Sequence, residues 1–373
     1  MNHPPPTHSE YLATRHFGSL DGLRFLCISV VIWHHSPYWG DLSRISVFFA
    51  RGHVGVDFFF VLSGYLITTL LLREESAKGW FNLREFYWRR ALRIVPIFYF
   101  VVTLAAFVEI GLNGKTSSWA ILPFYYLFLS NFIGVEDIIF LDPTWSLAVE
   151  EQYYLVWPLL LILVSRRWIV PVLIGLIAIN VASAMGVFAL VGLTAIQTPL
   201  LRFALEGATY APILMGSLAA VLLHNPAGFA RIAPLLQAKP APLICLGLLC
   251  FALAATPGAL EGLPNLIVHS LMTLTVVSLV VREDNGLAWV LKLPPLVRIG
   301  QISYGIYLYH LFAQGIVLAI FAWFGLTNPV LYILLFYGLS ILVAEISFRT
   351  LEAWFMQFRH RPPGQTPGSQ PDT

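Results

Sequence analysis

Charged side chains are scarce in this sequence. They make up 11% of its 373 residues, whereas a typical soluble domain carries about 25%. Low charge together with 58% hydrophobic residues excludes an intrinsically disordered chain and argues against an ordinary water-soluble globule. The formal net charge is only +2, so nucleic acid is not expected as a partner. The composition therefore predicts a membrane protein with several apolar spans.

Cysteines and cofactor motifs are also few or missing. The three cysteines, Cys27, Cys245 and Cys250, lie in apolar runs, and we expect unpaired core side chains rather than a disulfide framework. The sequence has no Gly-rich nucleotide loop, Walker pattern, Gly-x-Ser-x-Gly turn or HExxH helix. We therefore expect no metal and no bound cofactor. The first 19 residues contain no apolar core, so no cleavable signal peptide is expected.

Apolar runs of about 20 residues, the length that crosses a bilayer core, predict ten membrane spans. The fold class is therefore all-α, a polytopic membrane helix bundle. A shorter run at 119–133 is interrupted by Pro123, and we interpret it as a re-entrant or surface segment. Glycines in the second span are expected to allow close helix approach. The predicted spans are 20–39, 54–72, 94–112, 147–165, 168–190, 208–223, 241–256, 265–281, 301–322 and 329–349.

The distribution of basic residues predicts which side of the membrane each loop faces. With the N-terminus in the cytoplasm, all but four of the 22 Lys and Arg residues fall inside; the exceptions are Arg44, Arg51, Lys115 and Arg202. Counting 119–133 as a full span would invert every later loop. We therefore predict a multi-pass protein of the cytoplasmic (inner) membrane with both termini cytoplasmic. Its parts are an N-terminal segment (1–19), a membrane domain (20–350) and a disordered tail (351–373).

Ionisable side chains inside spans are costly, so each is a candidate functional residue. Arg24 and His35 lie eleven residues apart, on nearly the same helix face and about 16 Å apart along the axis. His35, in the outer half of its span, could act as a general base, or it could make a structural hydrogen bond. Asp57 lies at a similar depth and is expected to orient or charge-balance His35, unless it only caps its helix. His269 is a span histidine with no predicted partner.

Two further pairs of ionisable residues lie in the loop after the second span and at the start of the predicted span 147–165. Arg90 and Arg93 are three residues apart and share a helix face; at the cytoplasmic mouth they suit a phosphate-bearing ligand. Ordinary positive-inside bias with anionic-lipid contact is the alternative. Glu150 and Glu151 enter a span from its outer side. We expect one to form the mouth of an acceptor site and the other to be solvated.

Near the C-terminus, Ser303, Tyr307 and His310 fall on one helix face at positions i, i+4 and i+7. Such a polar stripe can belong to a site or can hydrogen-bond a neighbouring helix. We favour helix–helix hydrogen bonding for these three side chains.

Five segments, in order along the chain, resemble motifs of the acyltransferase-3 family of integral-membrane acyltransferases, which modify sugars, lipids and antibiotics. The resemblance covers most of the chain. The matching segments are Arg24 with His35 (R-x10-H), Gly52 to Tyr65 (GxxGVDxFFxLSGY), Arg90 to Pro96 (RxxRIxP), Trp145 to Tyr154 (WSLxxExxFY) and Ser303 to His310 (SYxxYLxH).

The resemblance implies O-acylation, often O-acetylation, of an acceptor hydroxyl on the far side of the membrane, with cytoplasmic acyl-CoA as co-substrate. It implies that His35 is the essential catalytic residue with Arg24 in support, that Arg90 and Arg93 lie near the acyl-CoA, and that Glu150 is the matching carboxylate. Some relatives carry an additional C-terminal hydrolase-like domain. This chain stops 24 residues after Arg349, so we expect that domain to be absent.

The expected partners are acyl-CoA, the lipid bilayer and a hydroxyl acceptor: a polysaccharide sugar, a glycolipid, a peptidoglycan unit or a small metabolite. The residues leave open whether His35 is a general base or forms an acyl-histidine. A multispan transporter or exporter of a polar or lipid-linked substrate is the main alternative, although no inverted repeat is visible. A polyprenyl-sugar-dependent transferase or another acyltransferase architecture is a second alternative, kept open by Asp57 and Glu150.

Overall fold

The computed structural model describes residues 6–37, 51–135, 138–204, 209–256 and 260–360. Its helices are α1 (His8–Ala13), α2 (Gly18–His34), α3 (Val54–Lys78), α4 (Leu83–Ala106), α5 (Leu122–Tyr126), α6 (Thr144–Leu163), α7 (Arg166–Ala184), α8 (Ala211–His224), α9 (Pro226–Leu236), α10 (Ala241–Ala255), α11 (Gly262–Val281), α12 (Ala288–Leu291), α13 (Pro294–Gln301), α14 (Ser303–Phe324), α15 (Pro329–Ser347) and α16 (Ala353–Met356). Two short strands, β1 (Ala195–Gln197) and β2 (Arg202–Ala204), pair antiparallel.

Within the described residues each predicted span overlaps a helix, so the all-α class is confirmed. Among the described residues, six helical stretches are long and apolar enough to cross a membrane, and the pair α8 and α9, bent by 108°, would make a seventh. The count of ten spans therefore stays a prediction. The six stretches are Val54–Lys78, Leu83–Leu112, Arg166–Ala184, Gly262–Val281, Ser303–Phe324 and Pro329–Arg359.

The segment predicted not to cross the membrane is broken into short pieces. It contains two 3₁₀ turns, Thr116–Ala120 and Ser130–Phe132, on either side of α5. Pro123 lies in the first turn of α5, where its missing N–H costs nothing. Phe128 has a φ of 54°, a left-handed conformation that a helix cannot continue through. None of these described pieces is long enough to span a bilayer.

The prediction that residues 351–373 form a disordered tail is wrong for the part of it that the structure describes. From α15 the chain continues through a π-helical turn, Phe348–Glu352, then α16 and a 3₁₀ turn, Gln357–His360. Trp88 Nε1 donates to the carbonyl of Phe358 at 3.1 Å. Aromatic side chains within this segment pack against one another. The Pro362-Pro363-Gly364 sequence that follows suggested a disordered tail instead. Residues 361–373 lie outside the described residues.

Helix α3 lies at the centre of the bundle, and most of its side chains are buried. Its closest approach is to α8, where Gly64 lies against the carbonyl of Ile213 and Gly216 lies against the carbonyl of Val61. A Cβ atom at either glycine would overlap backbone atoms of the other helix. This confirms the expectation that glycines in the second span allow close helix approach. In contrast, α7 buries only Ile169 and Leu173, which suits a helix facing lipid.

We expect Gly216→Ala to destabilise the protein by about 1–3 kcal/mol, because the two backbones must move apart to admit a methyl group. The melting temperature of the purified protein in detergent measures this effect. Gly247→Ala in α10 is the matched control, since a Cβ atom added there would meet no other atom within 4 Å and Ala favours a helix over Gly by about 1 kcal/mol. Equal melting temperatures for the two variants would contradict close packing at Gly216.

Candidate active site

A large cavity of about 880 Å³ lies between α2, α3, α4, α6, α14 and the C-terminal segment 348–360. Its wall on α3 begins at Val56 and ends at Glu74. At the helical rise per residue this distance is about 27 Å. The cavity is therefore elongated, and it follows α3 for most of that helix.

The two ends of the cavity differ in accessibility and in chemistry. At one end the lining side chains are buried: Phe60 is 1% exposed, Ser146 is 3% and Tyr307 is 7%. At the other end the lining residues Arg15 and Arg359 are exposed. The cavity therefore has a closed inner end with apolar and hydroxyl groups and an open, basic mouth.

The structure brings Arg24, Arg90 and Arg93 together on the wall of this cavity. Arg24 forms an ion pair with Asp21 at 3.3 Å. The guanidinium of Arg90 lies 4.1 Å from the ring centre of Tyr154, a cation–π contact that holds it flat against α6. Arg93 makes no hydrogen bond or ion pair with the described residues, and its exposed surface faces the cavity.

Glu150 and Glu151 both lie on the cavity wall and are half-buried, so neither is fully solvated, and a role for one of them at an acceptor site stays a prediction. The Oγ atom of Ser63 donates to Glu150 at 2.6 Å. Both carboxylates lie more than one turn inside α6, on the face that meets the arginines. Opposite charges nearby reduce the cost of burying them. Ser63 belongs to the Gly52–Tyr65 motif, but nothing in the sequence singled it out.

His35 lies directly after the last residue of α2 and is absent from the described cavity wall. Its ring centre is 4.7 Å from that of His310 on α14, with the ring planes at 70°. Nδ1 of His35 contacts the carbonyl of Val31 at 2.9 Å, and Nδ1 of His310 contacts the carbonyl of Tyr307 at 2.7 Å. A carbonyl only accepts, so each Nδ1 carries the proton. In the neutral rings both Nε2 atoms are left as acceptors.

Tyr307 links the cavity wall to this histidine pair. It lines the cavity, and its ring centre lies 5.7 Å from that of His310. Its hydroxyl donates to the carbonyl of Pro143 at 2.9 Å and lies 2.8 Å from Ser146 Oγ. Helix–helix hydrogen bonding, the interpretation favoured from the sequence, is thus confirmed for Tyr307. The contact of His310 with His35 was not predicted, because their sequence separation carries no information about it.

Asp57 does not orient His35 as the sequence suggested. Its Oδ2 atom lies 3.3 Å from Nε2 of His269 on α11, and the His269 side chain is 2% exposed. This contact links α3 to α11 and supplies the partner that His269 lacked in the sequence. Similar depth in the membrane did not place Asp57 and His35 on facing surfaces.

The chain is similar in sequence to known O-acetyltransferases. The chain is 27% identical to the peptidoglycan O-acetyltransferase OatA of Listeria monocytogenes, over 90% of this chain and 55% of that protein. It is also 27% identical to the O-acetyltransferase OatA of Staphylococcus aureus, over 91% of this chain and 57% of that protein. The chain therefore spans little more than half the length of these curated relatives. No solved structure matches it.

A family profile described as an acyltransferase domain matches residues 17–348. The matched range includes the α2, α3, α4, α6 and α14 walls of the cavity and both histidines of the pair. The chain belongs to the acyltransferase-3 family.

Proposed function

We propose that this protein is a membrane O-acyltransferase that moves an acyl group, acetyl in the first instance, from cytoplasmic acyl-CoA to a hydroxyl group on the other side of the membrane. One observation carries the proposal: a cavity lined by Arg24, Arg90 and Arg93 extends to Tyr307, whose ring contacts His310 of the His35–His310 pair. Membership of the acyltransferase-3 family supports acyl transfer as the chemistry.

The donor enters through the basic mouth in this proposal. Its pyrophosphate binds Arg90 and Arg93, because a guanidinium donates two parallel hydrogen bonds to phosphate oxygens. The uncharged pantetheine arm passes Arg24, and the thioester reaches the closed end. Phe60, Ser146 and Tyr307 there offer apolar surface and hydroxyl groups, which suit a short acyl thioester.

Transfer then takes place at His35. Nε2 removes the proton of the acceptor hydroxyl, and the acceptor oxygen attacks the thioester carbonyl. The carbon–sulfur bond breaks, and the thiolate takes the proton back from His35 to leave as CoA thiol. In a covalent alternative, Nε2 attacks the carbonyl first and the acceptor then displaces the acyl group from the imidazole. The Val31 carbonyl fixes the ring orientation in either route.

A cell-envelope carbohydrate is the acceptor we propose, because the relative from Listeria is named a peptidoglycan O-acetyltransferase. Glycolipids and small secreted molecules offer the same hydroxyl chemistry. The basic-residue bias predicts the cytoplasmic membrane with both termini in the cytoplasm. With that orientation, the mouth lined by Arg15 and Arg359 faces the acyl-CoA supply.

Radiolabelled acetyl-CoA supplied to membranes that contain the protein tests this function. We expect the label to enter an envelope fraction as an ester, released as acetate by mild alkali. Mass spectrometry of envelope glycans with and without the protein would then identify the acceptor by the loss of one acetyl increment. Membranes without the protein are the control. Label that crosses the membrane without forming an ester would contradict the enzyme and favour an exporter.

A further inference from the structure

We propose that the mouth of the cavity contains a second phosphate-binding site, formed by Arg15 and Arg359, which recognises the 3′-phosphate of CoA. The inference rests on the proposed function and extends it, because it states which part of the donor is selected. Pantetheine thioesters and 3′-dephospho-CoA thioesters lack this group. The cavity would then discriminate against them even though their acyl ends are identical.

Five of the seven arginines that line the described cavity fall into two sets. Arg24, Arg90 and Arg93 lie on α2 and α4, whereas Arg15 and Arg359 come from segments near opposite ends of the chain. CoA carries its charge in two places, the pyrophosphate and the 3′-phosphate on the ribose, and its pantetheine arm is uncharged. An elongated cavity with arginines on α2 and α4, further arginines at its mouth, and apolar and hydroxyl groups at its closed end matches this distribution.

Arg73 and Arg89 also line the cavity and are held by protein groups, and Arg359 has a protein partner as well. Arg73 donates to the carbonyl of Tyr11 at 2.9 Å and to the carbonyl of Thr14. Arg89 forms an ion pair with Glu85 at 3.0 Å. Arg15, in contrast, makes no hydrogen bond or ion pair with the described residues, although it is exposed on the cavity wall. Its charge is available to a ligand.

The N-terminal segment holds Arg15 at a defined position. Thr7 and Glu10 form a capping box at the start of α1, and the bonds from Thr7 lower the pKa of the Glu10 carboxyl below its usual value. Tyr11 is 2% exposed, and its hydroxyl lies 2.8 Å from that of Tyr65 on α3. Because α1 is anchored on α3, the residues that follow it, including Arg15, lie against the cavity mouth.

The C-terminal segment is anchored as well. The hydrogen bond from Trp88 on α4 to the Phe358 carbonyl fixes the residue next to Arg359. Met356, one turn earlier, lines the cavity. This segment therefore contributes to the mouth together with the N-terminal segment, and two parts of the chain that are far apart in sequence supply its basic residues.

Isothermal titration calorimetry with CoA and with 3′-dephospho-CoA tests the inference without knowledge of the acceptor. The full chain is purified in lipid nanodiscs. We expect the wild type to bind CoA about tenfold more tightly, a difference of about 1.4 kcal/mol. Arg15→Gln and Arg359→Gln should each weaken CoA binding and leave 3′-dephospho-CoA binding unchanged, so that the preference shrinks or disappears.

Two further variants distinguish the proposed 3′-phosphate site from the proposed pyrophosphate site at Arg90 and Arg93. Arg84→Gln, an exposed arginine of α4 that is not among the cavity-lining residues, should leave both affinities unchanged. Arg90→Gln should weaken both ligands equally. Equal wild-type affinities for the two ligands would overturn the 3′-phosphate site and leave the donor proposal intact. Failure of both ligands to bind would overturn the donor proposal and this inference together. Loss of both ligands in Arg15→Gln would instead assign Arg15 to the pyrophosphate.

Discussion

Replacing His35 with Ala is expected to lower acyl transfer by a factor of about 10² to 10⁴, the usual contribution of a general base, while the protein stays folded. The imidazole is held by its Nδ1 bond to Val31 and by its ring contact with His310. Removing it takes away the Nε2 atom that we propose as the base. His310 cannot take its place in our interpretation, because its ring is fully buried.

Incorporation of radiolabelled acetyl groups measures the activity, and the melting temperature in detergent reports folding. His224→Ala is the matched control, since this histidine lies at the end of α8, hydrogen-bonded to Ser76 and outside the described cavity wall. Retention of more than half the activity in His35→Ala would disprove the catalytic assignment.

The same variant distinguishes the two chemical routes. Wild-type protein is incubated with labelled acetyl-CoA in the absence of acceptor and then denatured. A label that stays on the protein and is lost in His35→Ala would identify an acyl-histidine. Absence of covalent label, together with full activity once acceptor is added, would identify His35 as a general base.

Replacing Arg90 or Arg93 with Gln is expected to lower kcat/KM for acetyl-CoA about 10- to 100-fold, since a hydrogen bond to a charged group contributes about 1.5–3 kcal/mol. The effect should appear mainly as a higher KM for the donor, because the phosphates bind equally in the ground state and the transition state. Lys at the same positions should give intermediate values, since it keeps the charge and loses the two-pronged geometry.

Arg167→Gln is the control for these two variants. Arg167 is an exposed arginine at the start of α7, and it is not among the cavity-lining residues. We expect its donor KM to equal that of the wild type. If Arg167→Gln and Arg93→Gln raised the donor KM equally, general attraction to anionic lipid, rather than a phosphate site, would explain the basic residues.

The sequence by itself determined the helical bundle and the faces of individual helices. Apolar run length predicted where helices form, because a bilayer core demands about 20 residues in each span. Spacing predicted that Arg90 and Arg93 share a face of α4, because side chains three apart are neighbours on any helix. The sequence likewise predicted that the run at 119–133 does not form a full span, because Pro123 interrupts it.

Only the tertiary structure decided which of these faces meet. Depth in the membrane suggested Asp57 as the partner of His35, but Asp57 lies against His269 and His35 lies against His310. The same limit applied to Glu150, whose position on the wall of the arginine-lined cavity could not be read from its place along α6. Residue spacing fixes a position along a helix and a direction around it, but not the neighbouring helix found in that direction. Close approach of helix backbones at small residues, such as Gly64 against α8, sets that arrangement.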